Sequence, residues 1–222
     1  DNRRAEVGED VAEEVGGHHH VEALGRPHEL HRRHVDVQVV RLHVAELGAD
    51  AASGLSAQEG CLLLTKRPAT LRRHANQYAL PGGRLDEGET PAQAALRELH
   101  EELGLDLPPE AIIGTLDDYP TRSGFAITPI VAWGGPAHDL KPDPVEVAIV
   151  HRIPFIDLDS PRIPHLDEQG DGKHPVLSAP LDTLGHQVYA PTAAVLYQFR
   201  EVALHGRPTR VAHFDQPRFA WK

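Results

Sequence analysis

The chain has a single cysteine, Cys61, among its 222 residues. An internal disulfide is thereby excluded, and the expectation from cysteine use is a reducing compartment, the cytoplasm. Cys61 opens an apolar run and reads as a core residue rather than a nucleophile. No apolar run approaches the roughly 20 residues that span a bilayer. The N-terminal residues lack the apolar centre of a signal peptide, so no membrane contact is expected. Aromatic residues are scarce, at 5% of the chain, and all eleven lie at or after Tyr78. Residues 1–60 hold none of them but seven of the sixteen histidines, a composition with little to build a core from. The net charge of −11 argues against general nucleic-acid binding, which relies on cations to neutralise phosphates.

This length suffices for one domain with a full core plus extensions. Residues 1–50 are expected to form a poorly ordered extension, and residues 51–222 the main domain. His18, His19, His20, His28, His31 and His34 could hold a transition metal, but a solvated extension fits them better and is the reading adopted. Val35, Val37 and Val39 alternate, then Val40, Leu42 and Val44 alternate on a shifted register, which predicts one bulged strand. Further strands are predicted over residues 61–65, 111–116, 125–133 and 145–153. Pro129 within the third of these implies an edge or a bulge. Residues 157–188 read as a long irregular loop with a short hairpin, and residues 192–205 as a helix ended by Gly206. The pattern gives an α+β class with a mixed sheet between helices.

The densest chemistry lies in residues 83–105. Gly82-Gly83 is a turn where backbone can approach a ligand closely. Thr90 is placed to cap a helix, Pro91 suits its first position, and Gly104 its left-handed end. On that helix Glu98, Glu101 and Glu102 stand at i, i+3 and i+4 and share one face. Such close like charges need neutralising, and Mg²⁺ prefers oxygen ligands of this kind and bridges them to phosphates. Ala95, Leu99 and Leu103 form a separate stripe that can face a core. A solvated acidic face would show the carboxylates, but not the coincident glycine turn, Glu89, Arg97 and helix stop.

This segment resembles the Nudix box, G-x5-E-x7-R-E-U-x-E-E-x-G-U with U aliphatic. Gly83, Glu89, Arg97, Glu98, Leu99, Glu101, Glu102, Gly104 and Leu105 match every fixed position. The resemblance implies an α/β/α sandwich and hydrolysis of a nucleoside diphosphate linked to another group, with Mg²⁺ or Mn²⁺. It also implies that Glu98, Glu101 and Glu102 are metal ligands, that Glu89 supports the metal site, and that Arg97 orients the glutamates through charge-assisted hydrogen bonds. The metal would polarise the diphosphate and help to generate hydroxide.

Just upstream, Leu63, Leu64, Thr65, Arg67, Leu71, Arg72, Pro81, Gly82 and Gly83 are similar to the additional signature of the coenzyme A diphosphatase branch, L-L-T-x-R-S-x-x-L-R-x-x-x-G-x-x-x-F-P-G-G. Pro68, Asn76 and Leu80 depart from it; Pro68 removes a hydroxyl and a backbone donor, whereas Asn tolerates left-handed backbone. Lys66, Arg67, Arg72, Arg73 and His74 place five potentially cationic groups within nine residues, suited to a substrate with three phosphates. Arg67, Arg72, Gly82 and Gly83 are the expected substrate-binding residues. Glu146, at a loop-to-strand start, is similar to the catalytic glutamate that related enzymes place far from the box. Asp117, Asp118, Thr121 and Ser123 form a second polar turn near the expected site. Three functions follow: hydrolysis of coenzyme A or acyl-coenzyme A to 3′,5′-ADP and (acyl-)4′-phosphopantetheine; hydrolysis of another derivative such as ADP-ribose, a nucleotide sugar or a dinucleotide; or non-catalytic nucleotide sensing. The complete glutamate set argues against the last. The partner is expected to be a small molecule, with a homodimer left open.

Overall fold

The computed structural model describes residues 35–44, 60–71, 74–135, 139–168 and 174–218, the first of these segments as backbone alone. The six extension histidines named above, and Arg72 and Arg73, lie outside the described residues.

In chain order the elements are β1 (Val35–Val44), β2 (Gly60–Lys66), β3 (Tyr78–Ala79), α1 (Pro91–Leu103), β4 (Ile112–Thr115), β5 (Tyr119–Pro120), β6 (Ala126–Trp133), β7 (Ile149–Pro154), α2 (Phe155–Leu158), β8 (His165–Asp167), β9 (Val176–Leu181), β10 (His186–Tyr189) and α3 (Thr192–Phe199). The main sheet runs β3-β2-β1-β6-β4, with β5 on β6 and β7 on β2.

Strand β1 lies inside this sheet, antiparallel to β2 and parallel to β6. The boundary drawn at residue 50 therefore does not separate residues 35–44 from the sheet. The bulge expected in β1 is absent on the β6 side, where pairing runs residue for residue from Val35↔Ala126 to Leu42↔Trp133. A central strand in a layered sheet has no solvent face to enforce strict alternation. Pro129 departs from expectation in a related way, since β6 is an interior strand. It falls between the stretch paired with β5 and the stretch paired with β4, at Tyr119↔Ile127 and Thr115↔Ile130. No ladder partner for its missing N–H is needed in that gap, while its carbonyl still accepts from Leu116 N at 2.9 Å.

Successive residues of β2 enter opposite cores, as period-two geometry requires. Leu63 packs with Ala94, Ala95, Leu99 and Leu103 of α1, and Leu62 and Leu64 pack with Phe155, Leu196 and Phe199. The sheet is thus sandwiched between α1 and the α2–α3 layer.

Two further expectations are corrected. The strand placed at 145–153 starts at Ile149, because residues 144–146 turn. The Asp143 carboxylate accepts from Val145 N at 2.9 Å and its carbonyl from Glu146 N and Val147 N, a side-chain–backbone turn that competes with extension. Residues 165–189 hold a three-stranded antiparallel sheet, β10-β9-β8, so the short hairpin expected in this stretch is there as β9–β10, but it is part of a sheet rather than of a long irregular loop. The apolar side chains of Val176, Leu177, Ala179 and Leu181 are buried in β9, and Gly185 at φ 63° turns the chain into β10. The last helix is α-helical to Phe199 and continues as a π-helical turn, Arg200–Leu204.

Candidate active site

Helix α1 is fixed at both ends by its own sequence. Gln93 N donates to Thr90 Oγ1, and Thr90 N donates to Gln93 Oε1 at 2.9 Å, a reciprocal cap that satisfies two otherwise orphaned donors. Gly104 closes the helix at φ 63°. With Ala95, Leu99 and Leu103 buried against the sheet, Glu98 and Glu102 are carried inward to 8% and 3% exposure, while Glu101 stays exposed.

Arg97 gathers the acidic groups. Its Nε and Nη2 donate to the two oxygens of Glu89, each at 3.0 Å, in a bidentate pair. Nη1 donates to Glu98 Oε1 at 2.8 Å and Glu101 Oε2 at 3.0 Å, and Nη2 also reaches the Arg84 carbonyl at 2.9 Å. Asp86 N donates to Glu89 as well, so both Glu89 oxygens are engaged and this carboxylate acts here through Arg97. The Arg97 hydrogen bonds hold Glu89 below the usual carboxylate range, and Glu89 in turn raises Arg97. Burial pushes Glu98 up despite Arg97.

Glu102 has no such partner for one of its oxygens. Oε2 is buried without a hydrogen bond. Burial, then the charges of Glu98 and Glu146, push this carboxyl up to about 8, against the opposing pull of Arg67 and the Gly82 amide. Gly82 sits at φ 151°, a backbone conformation that excludes most side chains. Glu146 is brought near by the loop after Gly135. Lys141 N and Asp143 N donate to the carbonyls of Leu103 and Glu102 at 2.8 and 3.0 Å, capping the end of α1 with that loop.

Among its described residues, the basic segment does not act as one patch. Lys66 and Arg67 are neighbours at the end of β2 and leave it in opposite directions. The Lys66 ammonium lies 5.5 Å from the Tyr78 ring, beside His151, whereas the Arg67 charge acts on Glu102. Arg67 Nε is buried with no hydrogen-bond partner. His74 bonds the Gln77 side chain at 2.9 Å. His74 and Asn76 both have positive φ, 56° and 59°. The polar turn at Asp117–Ser123 is occupied in holding the fold together. Asp117 is bound by Gln198 and Arg210, Asp118 accepts from Thr128, and Thr121 bonds Ser123. Arg84, which no sequence argument singled out, lies with its guanidinium 4.8 Å over the Phe125 ring. Its one sequence signal is that it follows Gly83.

Among the described residues no three His, Cys, Asp or Glu side chains converge as a ready-made metal cluster, because Glu98 and Glu101 turn towards Arg97. The donor set nevertheless fits a hard cation. The Glu102 Oε2 atom is buried without a hydrogen-bond partner, a carboxylate oxygen of the kind a hard cation binds, and Glu98 and Glu101 lie on the same helix face.

Comparison with known proteins accords with this geometry. The NUDIX domain family model matches residues 47–171, more than half of the chain. An uncharacterized Nudix hydrolase NudL from Cronobacter sakazakii is 42% identical over 117 residues, covering 51% of this chain and 60% of that protein. A protein of the same name from Photorhabdus laumondii is 40% identical over 95 residues, covering 42% of this chain and 51% of that one. The matches thus span about half to three-fifths of these relatives' length. A MutT/nudix family protein from Enterococcus faecalis superposes with a TM-score of 0.50 at 19% identity, over 83% of this chain and 68% of that one, a likeness of fold. The chain belongs to the NUDIX domain family.

Proposed function

We propose that the protein is a Mg²⁺- or Mn²⁺-dependent diphosphatase that splits coenzyme A or acyl-coenzyme A into 3′,5′-ADP and 4′-phosphopantetheine or its acyl form. The observation that carries this reading is that Arg67 and Glu102 each present a buried polar atom without a hydrogen-bond partner, with the Arg67 charge felt at Glu102. Arg67 belongs to the upstream signature and Glu102 to the box, and their charges act on each other. Arg67 Nε and Glu102 Oε2 are both buried without a hydrogen-bond partner. Leaving such groups unsatisfied costs about 1–3 kcal/mol each, and a diphosphate and its cation would satisfy both at once.

In this reading Glu98, Glu101 and Glu102 hold the metal, and Glu89 sets their geometry by fixing Arg97. A bound divalent cation would neutralise phosphate charge and lower the pKa of water. Arg67 would bind a diphosphate oxygen, the Gly82-Gly83 turn would face the phosphates, and Glu146 would take the proton of the attacking water. Arg72, from the same signature, would contribute a second cation to the substrate phosphates.

One observation favours the second reading, a diphosphate without a third phosphate such as ADP-ribose. Among the described residues, the basic segment sends only Arg67 towards the box, while Lys66 and His74 are engaged elsewhere. Kinetics of two variants test the proposed roles. Arg67→Ala should raise KM about ten- to a hundredfold, the cost of one charged hydrogen bond. Glu101→Gln should lower kcat at least about tenfold at saturating Mg²⁺. Near-normal turnover in both would remove the assignment.

A further inference from the structure

We infer that Asp143 is a positioning residue for the reaction: its side chain closes the turn that presents the Glu146 carboxylate to the glutamates of α1. The inference rests on the diphosphatase reading above, in which Glu146 takes the proton of the attacking water, and it names what holds that carboxylate in place.

Residues 142–147 read Pro-Asp-Pro-Val-Glu-Val. Asp followed by Pro suits the first two positions of a type I turn. The Asp143 carbonyl accepts from Glu146 N at 3.1 Å and from Val147 N at 2.8 Å. Its side-chain Oδ1 accepts from Val145 N at 2.9 Å. Three successive N–H groups therefore converge on one residue, and Pro144 has none to contribute. Val145 and Glu146 are exposed, so packing of their own side chains does not fix the turn.

The turn is anchored on both sides. Before it, Asp143 N donates to the Glu102 carbonyl at 3.0 Å and Lys141 N to the Leu103 carbonyl at 2.8 Å. Lys141 lies so close to Gly104 that a Cβ on that glycine would stand 2.8 Å from the Lys141 Cβ. After it, Val147 is buried with Leu63, Leu99 and Leu103, and Ala148 N donates to the Lys66 carbonyl at 2.8 Å. Glu146 is thus the exposed residue of a turn tied to the box helix and to β2. Its charge is felt at both Glu98 and Glu102. Glu102 receives Asp143 N on its carbonyl and carries a candidate metal-binding carboxylate on its side chain, so both carboxylates share one frame. Of the hydrogen bonds that shape the turn, the one to Val145 N alone uses the Asp143 side chain. Its loss leaves the main-chain anchors in place and loosens the residue before Glu146. A misplacement of about 1 Å at a reacting group can cost about a hundredfold in rate.

Steady-state kinetics of the full chain with Mg²⁺, on coenzyme A and on ADP-ribose, test this on whichever compound wild type cleaves. Asp143→Ala should lower kcat about tenfold or more and leave KM within about threefold, since the group displaced acts in the chemical step. Asp143→Asn keeps an oxygen that accepts from Val145 N and should hold kcat within about threefold of wild type. Asp143→Glu keeps the charge but not the short reach of the turn, and should lose kcat as Ala does; it serves in place of Ala if that variant does not fold. Glu146→Gln should lower kcat about a hundredfold, the low end for a general base. Adding Asp143→Ala to Glu146→Gln should cost less than about twofold more, because the group being positioned is already gone. A merely structural Asp143 would give losses that multiply. Multiplying losses, an Asn variant as poor as Ala, a loss confined to KM, or wild-type kcat in Asp143→Ala or Asp143→Glu overturns the inference. Wild-type kcat in Glu146→Gln also overturns it, while leaving the diphosphatase reading intact. A wild type that cleaves neither compound overturns both.

Discussion

A Cβ atom on Gly83 would lie 2.2 Å from Oε1 of Glu98. The glycine is required there by contact, since its side-chain space is filled by a carboxylate that Arg97 holds at 2.8 Å. Gly83→Ala must therefore displace either the loop or Glu98. The expected outcome is a kcat at least about tenfold lower with the circular dichroism spectrum unchanged, because a misplacement of about 1 Å is costly at a catalytic centre. Full activity would show that Glu98 can move without consequence.

Arg97 and Glu89 form a bidentate pair, which lysine cannot reproduce. Arg97→Lys keeps the charge but loses the fork, so Glu89, Glu98 and Glu101 lose their common anchor. Activity should fall at least about tenfold, by analogy with one charged hydrogen bond. The Mg²⁺ concentration needed for half-maximal rate should rise. An unchanged Mg²⁺ requirement would place Arg97 outside the metal site.

Glu102 couples stability to pH. Its ordinary value is 4.5, and burial with Glu98 and Glu146 pushes it up to about 8 in the folded protein. Between these values the folded chain holds a proton that the unfolded chain has released. Metal-free protein should thus lose stability from this group as pH rises through that window. A cation that binds the ionised carboxylate should raise Tm more at pH 8.5 than at pH 5.5, and Glu102→Gln should flatten both dependences. Thermal scans with and without Mg²⁺ check this; an Mg²⁺ effect that is larger at acid pH would contradict it.

Strand β1 joins β2 to β6 in the middle of the sheet. A chain lacking residues 1–33 should fold and retain activity, because those residues have a composition poor in core formers. One lacking residues 1–44 should be insoluble or unfolded by circular dichroism, since both flanking strands lose a ladder of hydrogen bonds. Activity in the shorter chain would show that β2 and β6 can close on each other.

What was legible in the sequence was local. The Thr90 cap, the Gly104 stop and the face shared by Glu98 and Glu102 follow from spacing along one helix. The opposite directions of Lys66 and Arg67 were also implicit in strand periodicity, although counting charge along the segment pooled them. The position of β1 was not legible, because its partner Ala126 lies far along the chain and no local pattern encodes that pairing. Nor was the second sheet, whose strands of three to six residues are punctuated by Gly and Pro as a loop would be. Arg84 escaped notice because its platform, Phe125, comes from a hairpin remote in sequence.

The central claim is the hydrolysis of coenzyme A, and product analysis tests it most directly. Purified protein with Mg²⁺ or Mn²⁺ would be given coenzyme A, 3′-dephospho-coenzyme A, ADP-ribose and a nucleotide sugar in parallel, with products separated by chromatography. The account predicts 3′,5′-ADP and 4′-phosphopantetheine from coenzyme A, formed faster than products from the other three and abolished by chelation of the metal. Cleavage of ADP-ribose far faster than coenzyme A, or equal rates on coenzyme A and its dephospho form, would contradict it.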